Sequence, residues 1–277
     1  MVFIFDACTV INMIHIDEDE FLLKQLTALD FHVCRTVFDE IYSNVFNKFK
    51  SYPVYPEQEH KEIEKKLNNF RDRIFNDDTF LSLADDVKEM TGYKKINGEF
   101  HSTLLSTYIN TFERIYVHFY TDDRPALAEF SPFLTRNQIG SIRDSVDLLV
   151  LLYRHNDSFN KNDLKKYLSK LFSEYVSTLS EIEKAVEAYQ IPKLMIRNQS
   201  LREKRDNIRE AIKSRDVIEL QSLYFSLLDD KQTCDSLIMQ LVKFQDFFKQ
   251  NISREYLDKI KECISYVDDE PFYKWAS

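Results

Sequence analysis

Glycine is scarce in this sequence: only Gly92, Gly98 and Gly140 occur in 277 residues. A phosphate-cradling P-loop or a dinucleotide fingerprint needs clustered glycines, so that the backbone can approach the phosphates. Neither is present, which excludes most nucleoside triphosphatases and most nicotinamide enzymes. Cysteine is equally sparse. Cys8, Cys34, Cys234 and Cys263 are scattered with no CxxC spacing, as expected of reduced thiols in a cytoplasmic protein rather than of a zinc site or a disulfide framework. No apolar run approaches the roughly 20 residues that span a bilayer. MVFIFDACTV meets Asp6 without a basic leader, so neither a membrane segment nor a signal peptide is expected. Positive charge is also in deficit. The net charge is −9, of which residues 1–155 carry about −8 and residues 156–277 about −1. Such a chain lacks the broad positive surface that drives nonspecific nucleic-acid binding. To handle nucleic acid it needs local basic patches or metal ions.

With 44% hydrophobic and 30% charged residues, the composition is that of a globular protein, long enough for one large domain or two of ordinary size. VFIFD (2–6) reads as a strand buried on both faces that ends in an acid. DEDEFLLKQLTALD (17–30) follows as a helix with acids in its first turn, and FHVCRT (31–36) as a second strand. VFDEIYSNVFNKFK (37–50) reads as a helix with Phe38, Ile41, Tyr42, Val45 and Phe49 near one face. Residues 57–75, 78–90 and 98–112 are helical in pattern, IYVHFY (115–120) is a strand, and IGSIRDSVDLLVLLYR (139–154) reads as a largely apolar helix. Strands alternating with helices indicate an α/β domain with a parallel sheet over residues 1–155. NDSFN (156–160) breaks the pattern, and residues 156–277 read as an all-helical accessory domain of about six helices.

IYVHFYTDDRPA (115–126) poses the sharpest question. Asp122 and Asp123, adjacent at a strand end, repel each other unless something separates or binds them. Helix capping is the simple account: Thr121 or Asp122 would cap the helix beginning at DRPALAEF, with Pro125 tolerated in its first turn. The placement of the other isolated acids suggests more. In a parallel sheet, ligands bind beyond the carboxyl ends of the strands. Asp6 ends the first strand and Asp122 and Asp123 end a later one, so neighbouring strands would bring all three to one edge. Glu40 lies early in the helix after strand two, and Glu99 opens the helix before IYVHFY. Each also has an ordinary use, as a cap or as an acid complementing a helix dipole.

Taken in order, FIFDACTVI (3–11), RTVFDEI (35–41), NGEFHSTLLS (97–106), YTDDRPA (120–126) and IGSIRDSVDLLVLLY (139–153) resemble the PIN-domain nucleases, over about residues 1–155. The resemblance implies hydrolysis of phosphodiester bonds, usually in RNA, with Mg²⁺ or Mn²⁺. Asp6, Glu40, Glu99 and one or both of Asp122 and Asp123 would then be direct or water-mediated ligands. Thr9 and Thr121 would orient ligands or water, and Asp144 and Asp147 are weaker candidates. The chemistry is coherent, because hard divalent ions prefer carboxylate oxygens and their charge offsets the repulsion between neighbouring acids. The chain departs from the compact toxin form of the family. Nearly sixty residues separate Glu40 from Glu99, and about 120 residues follow the domain. A toxin-like or defence-related nuclease is expected to have a neutralising protein partner or a restricted substrate.

Two other function classes are open. FDACTV approaches the pattern of haloacid-dehalogenase-like phosphatases, but Cys8 stands where that family has its acid, which removes the general-acid step. The tail also suits a noncatalytic interaction protein. Residues 193–215 hold eight basic and three acidic residues, and Arg202, Arg205 and Arg209 recur at helical spacing. They form either an RNA-backbone contact or a solvated face, with Asp206 pairing Arg202 and Arg209. FQDFFKQ (244–250) and EPFYKWAS (270–277) read as docking or oligomer surfaces. The six histidines form no metal-binding pattern. His118 reads as packed and His101 as facing away from Glu99, while Tyr120 beside TDD is placed to stack on a base.

Overall fold

The computed structural model describes residues 1–17, 19–46, 57–189, 199–214, 217–244 and 254–269. The chain divides into two compact units, Met1–Leu168 together with a segment beginning at Tyr266, and Ser169–Ser265. The first unit is built on five parallel strands among the described residues: β1 (Val2–Phe5), β2 (Phe31–Cys34), β3 (Ile74–Phe75), β4 (Val117–Tyr120) and β5 (Gly140–Arg143), in the order β3-β2-β1-β4-β5. Around them lie α1 (Ala7–Ile16), α2 (Phe21–Thr27), α3 (Arg35–Asn44), α4 (Glu57–Arg71), α5 (Ala84–Thr91), α6 (Gly98–Glu113), α7 (Arg124–Arg136) and α8 (Ser145–His155). A five-stranded parallel sheet flanked by helices is consistent with a PIN-like fold.

The central strands explain the fully apolar runs. β1 is buried along its whole length because β2 and β4 pair with its two edges and helices cover both faces. Phe5 pairs with Tyr120 in register, and the Asp6 amide continues the ladder by donating to the Tyr120 carbonyl at 2.9 Å. Asp6 and Thr121 therefore leave the same sheet edge side by side. Tyr120 also pairs with Arg143, which brings Asp144 to that edge.

Several local readings need correction. Residues 140–143 are the edge strand β5, and α8 starts only at Ser145. A helix reading fails there because Gly140 is pressed against β4: a Cβ would lie 2.1 Å from the Val117 carbonyl oxygen. α4 stops at Arg71 and the edge strand β3 follows. The 78–90 stretch opens with two 3₁₀ turns, and α5 takes its second half, closed by left-handed Gly92. The acids of residues 17–30 do not start a helix. Glu20 is left-handed, and buried Asp17 reaches forward to accept the Leu22 and Leu23 amides of α2. Phe49 lies outside the described residues.

The tail is helical as expected. Its described residues hold α9 (Lys161–Ala188), α10 (Gln199–Ser214), α11 (Val217–Asp229), α12 (Lys231–Leu241) and α13 (Arg254–Asp269). Among the described residues no helix is long and apolar enough to cross a membrane. None of the four cysteines is in a disulfide.

Candidate active site

Asp6 occupies the N-cap position of α1 but its side chain caps nothing. Its Oδ2 instead accepts from the Thr121 hydroxyl at 2.8 Å and from the Cys8 thiol at 3.1 Å, while Oδ1 is buried with no hydrogen-bond partner. The residue is only 2% exposed. Burial raises its carboxyl above the ordinary range. The Cys8 and Thr121 hydrogen bonds oppose the rise, and the Asp123 charge adds to it. Burial likewise pushes the Cys8 thiol well up, helped by Asp6 and Asp122, so it acts here as a neutral donor. Thr9, three residues along α1, is fully buried and its Oγ1 also lacks a partner.

The adjacent aspartates are separated by direction. Asp122 Oδ1 accepts from the Ser145 amide at 2.8 Å, and Oδ2 accepts from the Ser145 hydroxyl and from Asn12 Nδ2 at 2.7 Å. It ties β4 to the start of α8 and to α1. Asp123 is the N-cap of α7, accepting from the Ala126 amide at 3.0 Å with Pro125 in the first turn. The cap is thus Asp123 and not Thr121 or Asp122. Capping uses one Asp123 oxygen, and its charge still acts on Asp6 and Glu99.

Glu40 and Glu99 come from facing helices. The Gly98 amide donates to Glu40 Oε1 at 3.2 Å, and a Cβ on Gly98 would lie 2.5 Å from Glu40 Oε2. Only glycine leaves room for this carboxylate. Burial, reinforced by the Asp6 charge, raises Glu40 to about 7, with the Gly98 hydrogen bond opposing it. Glu99 follows in the first turn of α6, whose N-cap is Asn97. Burial and then the charges of Asp6, Asp123 and Glu40 raise it to about 8. The charges of Asp6 and Glu99 thus interact with each other and with those of Glu40 and Asp123, in a partly buried cluster at the carboxyl edge of the sheet.

Among the described residues, no group of three or more His, Cys, Asp or Glu side chains forms a cage that could hold a metal ion. The donor chemistry nonetheless suits a hard cation: the interacting charged groups are carboxylates, and the Asp6 oxygen without a partner is an acceptor left unsatisfied. Mg²⁺ commonly takes one or two carboxylates and keeps its waters, so it requires no such cage.

Asp144 and Asp147 form the capping box of α8, which accounts for both acids. Tyr120 is 1% exposed and packed against Phe3 and Phe5, so it has no face for a base. His118 is packed, stacking on Phe3 and bonding Ser141, and His101 turns to Asp77. On α10, Asp206 pairs with Arg205 at 2.8 Å and meets Arg209 at 4.0 Å. Lys193 to Asn198 and Arg215, the flanks of the basic stretch, lie outside the described residues, as do most of FQDFFKQ and all of EPFYKWAS. Sequence reasoning missed Asn12 and Ser145, which carry no local signal because their partner Asp122 is distant in sequence. It also missed Arg124, whose buried Nε has no hydrogen-bond partner directly after Asp123. Comparison with family models, with curated proteins and with solved structures found no match.

Proposed function

We propose that the chain is a Mg²⁺- or Mn²⁺-dependent endoribonuclease, with the cation held directly by one or two of Asp6, Glu40, Glu99 and Asp123 and through water by the others. The observation that carries this reading is the buried, half-satisfied Asp6 at the sheet edge among three carboxylates whose charges act on one another. Keeping like charges together in a partly dry site is costly, and a cation offsets that cost. When bound, the ion would polarise the scissile phosphate and lower the pKa of an attacking water.

The protein's own groups supply orientation. Thr121 and Cys8 fix one Asp6 oxygen and leave the other available for a ligand. Gly98 holds Glu40 by its amide. Asp122 serves as a brace through Ser145 and Asn12, so that Asp123 and not Asp122 is the direct ligand of the pair. Without a cation, Glu99 keeps its proton at neutral pH and Glu40 about half of its own, as their values of about 8 and 7 require. Arg124, beginning α7 after Asp123, is assigned to a substrate phosphate, and Arg202, Arg205 and Arg209 to the RNA backbone. By resemblance, a toxin-like or defence-related nuclease would have a neutralising protein partner or a restricted substrate, and the scattered cysteines suit a cytoplasmic protein.

The test is cleavage of labelled single-stranded RNA and DNA with Mn²⁺, Mg²⁺ or EDTA, comparing wild type with Asp6→Asn and Asp123→Asn. Cation-dependent cutting of RNA, lost in both variants, is expected. If folded wild type neither cuts nor binds Mn²⁺ in calorimetry, the nuclease reading fails, leaving a noncatalytic interaction protein on the same fold.

A further inference from the structure

Outside the acidic cluster, Asp77 is a buried charged group that contacts both α3 and α6. Asp77 lies in the turn after β3 and is 9% exposed. Its Oδ1 accepts from the Arg35 amide at 2.8 Å, and its Oδ2 from the Thr36 amide at 3.0 Å and from the Thr36 hydroxyl. These are the first amides of α3, which has no cap of its own because Cys34 stands at the N-cap position. The same Oδ2 lies 2.8 Å from Nδ1 of His101, the imidazole N–H donating. His101 is 7% exposed, edge-on to the Phe80 ring.

Helix spacing gives this contact its consequence. Thr36 precedes Glu40 by four residues on α3, and His101 follows Gly98 by three on α6, so each pair shares a helix face. The two helices are therefore tied at two adjacent levels, Thr36 to His101 through Asp77 and Glu40 to Gly98 directly. We propose that Asp77 is a positioning residue: it holds the first turn of α3 against His101 of α6 and so sets the spacing between Glu40 and Glu99. Asp77 touches none of the four pocket carboxylates in its hydrogen bonds and acts through the helices. The effect on catalysis rests on the nuclease reading; the effect on helix spacing does not.

The experiment is native-state amide exchange by NMR on full-length Asp77→Ala and His101→Leu, alongside RNA cleavage kinetics. The Gly98 amide reports the Glu40 contact, and the Asp6 amide, bonded to Tyr120, is the internal control. Loss of the tie should speed exchange at Gly98 about tenfold while leaving Asp6 protected. In His101→Leu, Asp77 still caps α3, so the Arg35 and Thr36 amides stay protected, whereas Asp77→Ala exposes them. Turnover should fall about tenfold or more with KM unchanged, since misplaced groups lower kcat. Unchanged Gly98 exchange in His101→Leu, or equal acceleration at Gly98 and Asp6, would overturn the proposal. If Asp77→Ala does not fold, His101→Leu decides alone. If wild type neither cuts RNA nor binds Mn²⁺, the nuclease reading falls and the exchange data still decide the positioning role.

Discussion

Glu40 sits where a Gly98 side chain would otherwise be: one carboxylate oxygen accepts the Gly98 amide hydrogen at 3.2 Å, and the other is 2.5 Å from the place a Cβ would take. Gly98→Ala must displace that carboxylate. The displaced atom is the end of a flexible side chain, so the fold should bear it cheaply, and alanine is the better helix former by about 1 kcal/mol. Stability should change by less than about 1 kcal/mol, while RNA cleavage falls about tenfold or more because Glu40 has moved. Gly140→Ala is the contrasting case. Its Cβ meets the Val117 backbone carbonyl at 2.1 Å, and overpacking there should cost about 1–3 kcal/mol. Urea denaturation with cleavage rates separates the two; a destabilised but fully active Gly98→Ala would contradict the assignment of Glu40.

The acid cluster makes stability depend on pH. Glu99 titrates at about 8 in the fold against an ordinary 4.5, because burial and then the Asp6, Asp123 and Glu40 charges disfavour its anion. A raised value means that the folded chain keeps a proton which the unfolded chain has released. The Glu99 contribution is therefore fully present below about 4.5 and is lost as pH rises toward about 8. Without divalent ions, denaturation should show a loss on the order of 2 kcal/mol across that window, allowing for solvent screening. Glu99→Gln should flatten the slope. Mn²⁺ at the alkaline end should restore the loss in wild type; if it gives no protection, the four-acid site is not a cation site.

The placement of Asp6, Asp122 and Asp123 at one sheet edge was legible because sheet geometry converts order into position. A strand ending in Asp6 and another ending in Thr121-Asp122-Asp123 must share an edge once the strands are parallel neighbours. The Gly98-Glu99 pair at a helix start carried its own signal. What escaped notice depends on long-range direction. Nothing local distinguishes Asp122 from Asp123; Ser145 and Asn12 turn one aside, and the α7 amides hold the other. Asp77 lies in a short turn with no periodicity and finds its partners 24 to 42 residues away. β5 was hidden because Gly140, Ser141 and Arg143 give an edge strand only one apolar residue, Ile142.

The basic stripe of α10 makes a separate prediction. Arg205 and Arg209 both approach Asp206, whose side chain is 58% exposed. Exposed pairs of this kind are worth about 1 kcal/mol at most, so a phosphate can compete for the guanidinium groups. Reversing Arg202, Arg205 and Arg209 to glutamate should weaken single-stranded RNA binding. The slope of log K against log salt should flatten by about 2, given roughly 0.7 per phosphate contact. Filter binding at several salt concentrations measures this directly. An unchanged slope would assign the stripe to solvent.

Asp6 and Asp122, both nearly inaccessible at 2% and 8% exposure, should respond oppositely to substitution. Asp122 is satisfied by Ser145 and Asn12, so Asp122→Ala strands their donors and should cost about 1–3 kcal/mol. Asp6 has one buried oxygen without a partner and faces the Asp123 charge. Asp6→Asn removes a carboxyl group whose ionisation burial disfavours, while keeping an acceptor for Thr121. Metal-free stability at pH 8 should therefore hold or rise, by up to about 1 kcal/mol, even as cleavage disappears. A residue retained against stability is one selected for its chemistry, whereas a brace is retained for the fold. Equal destabilisation in Asp6→Asn and Asp122→Ala, with cleavage kept in the first, would make Asp6 another brace.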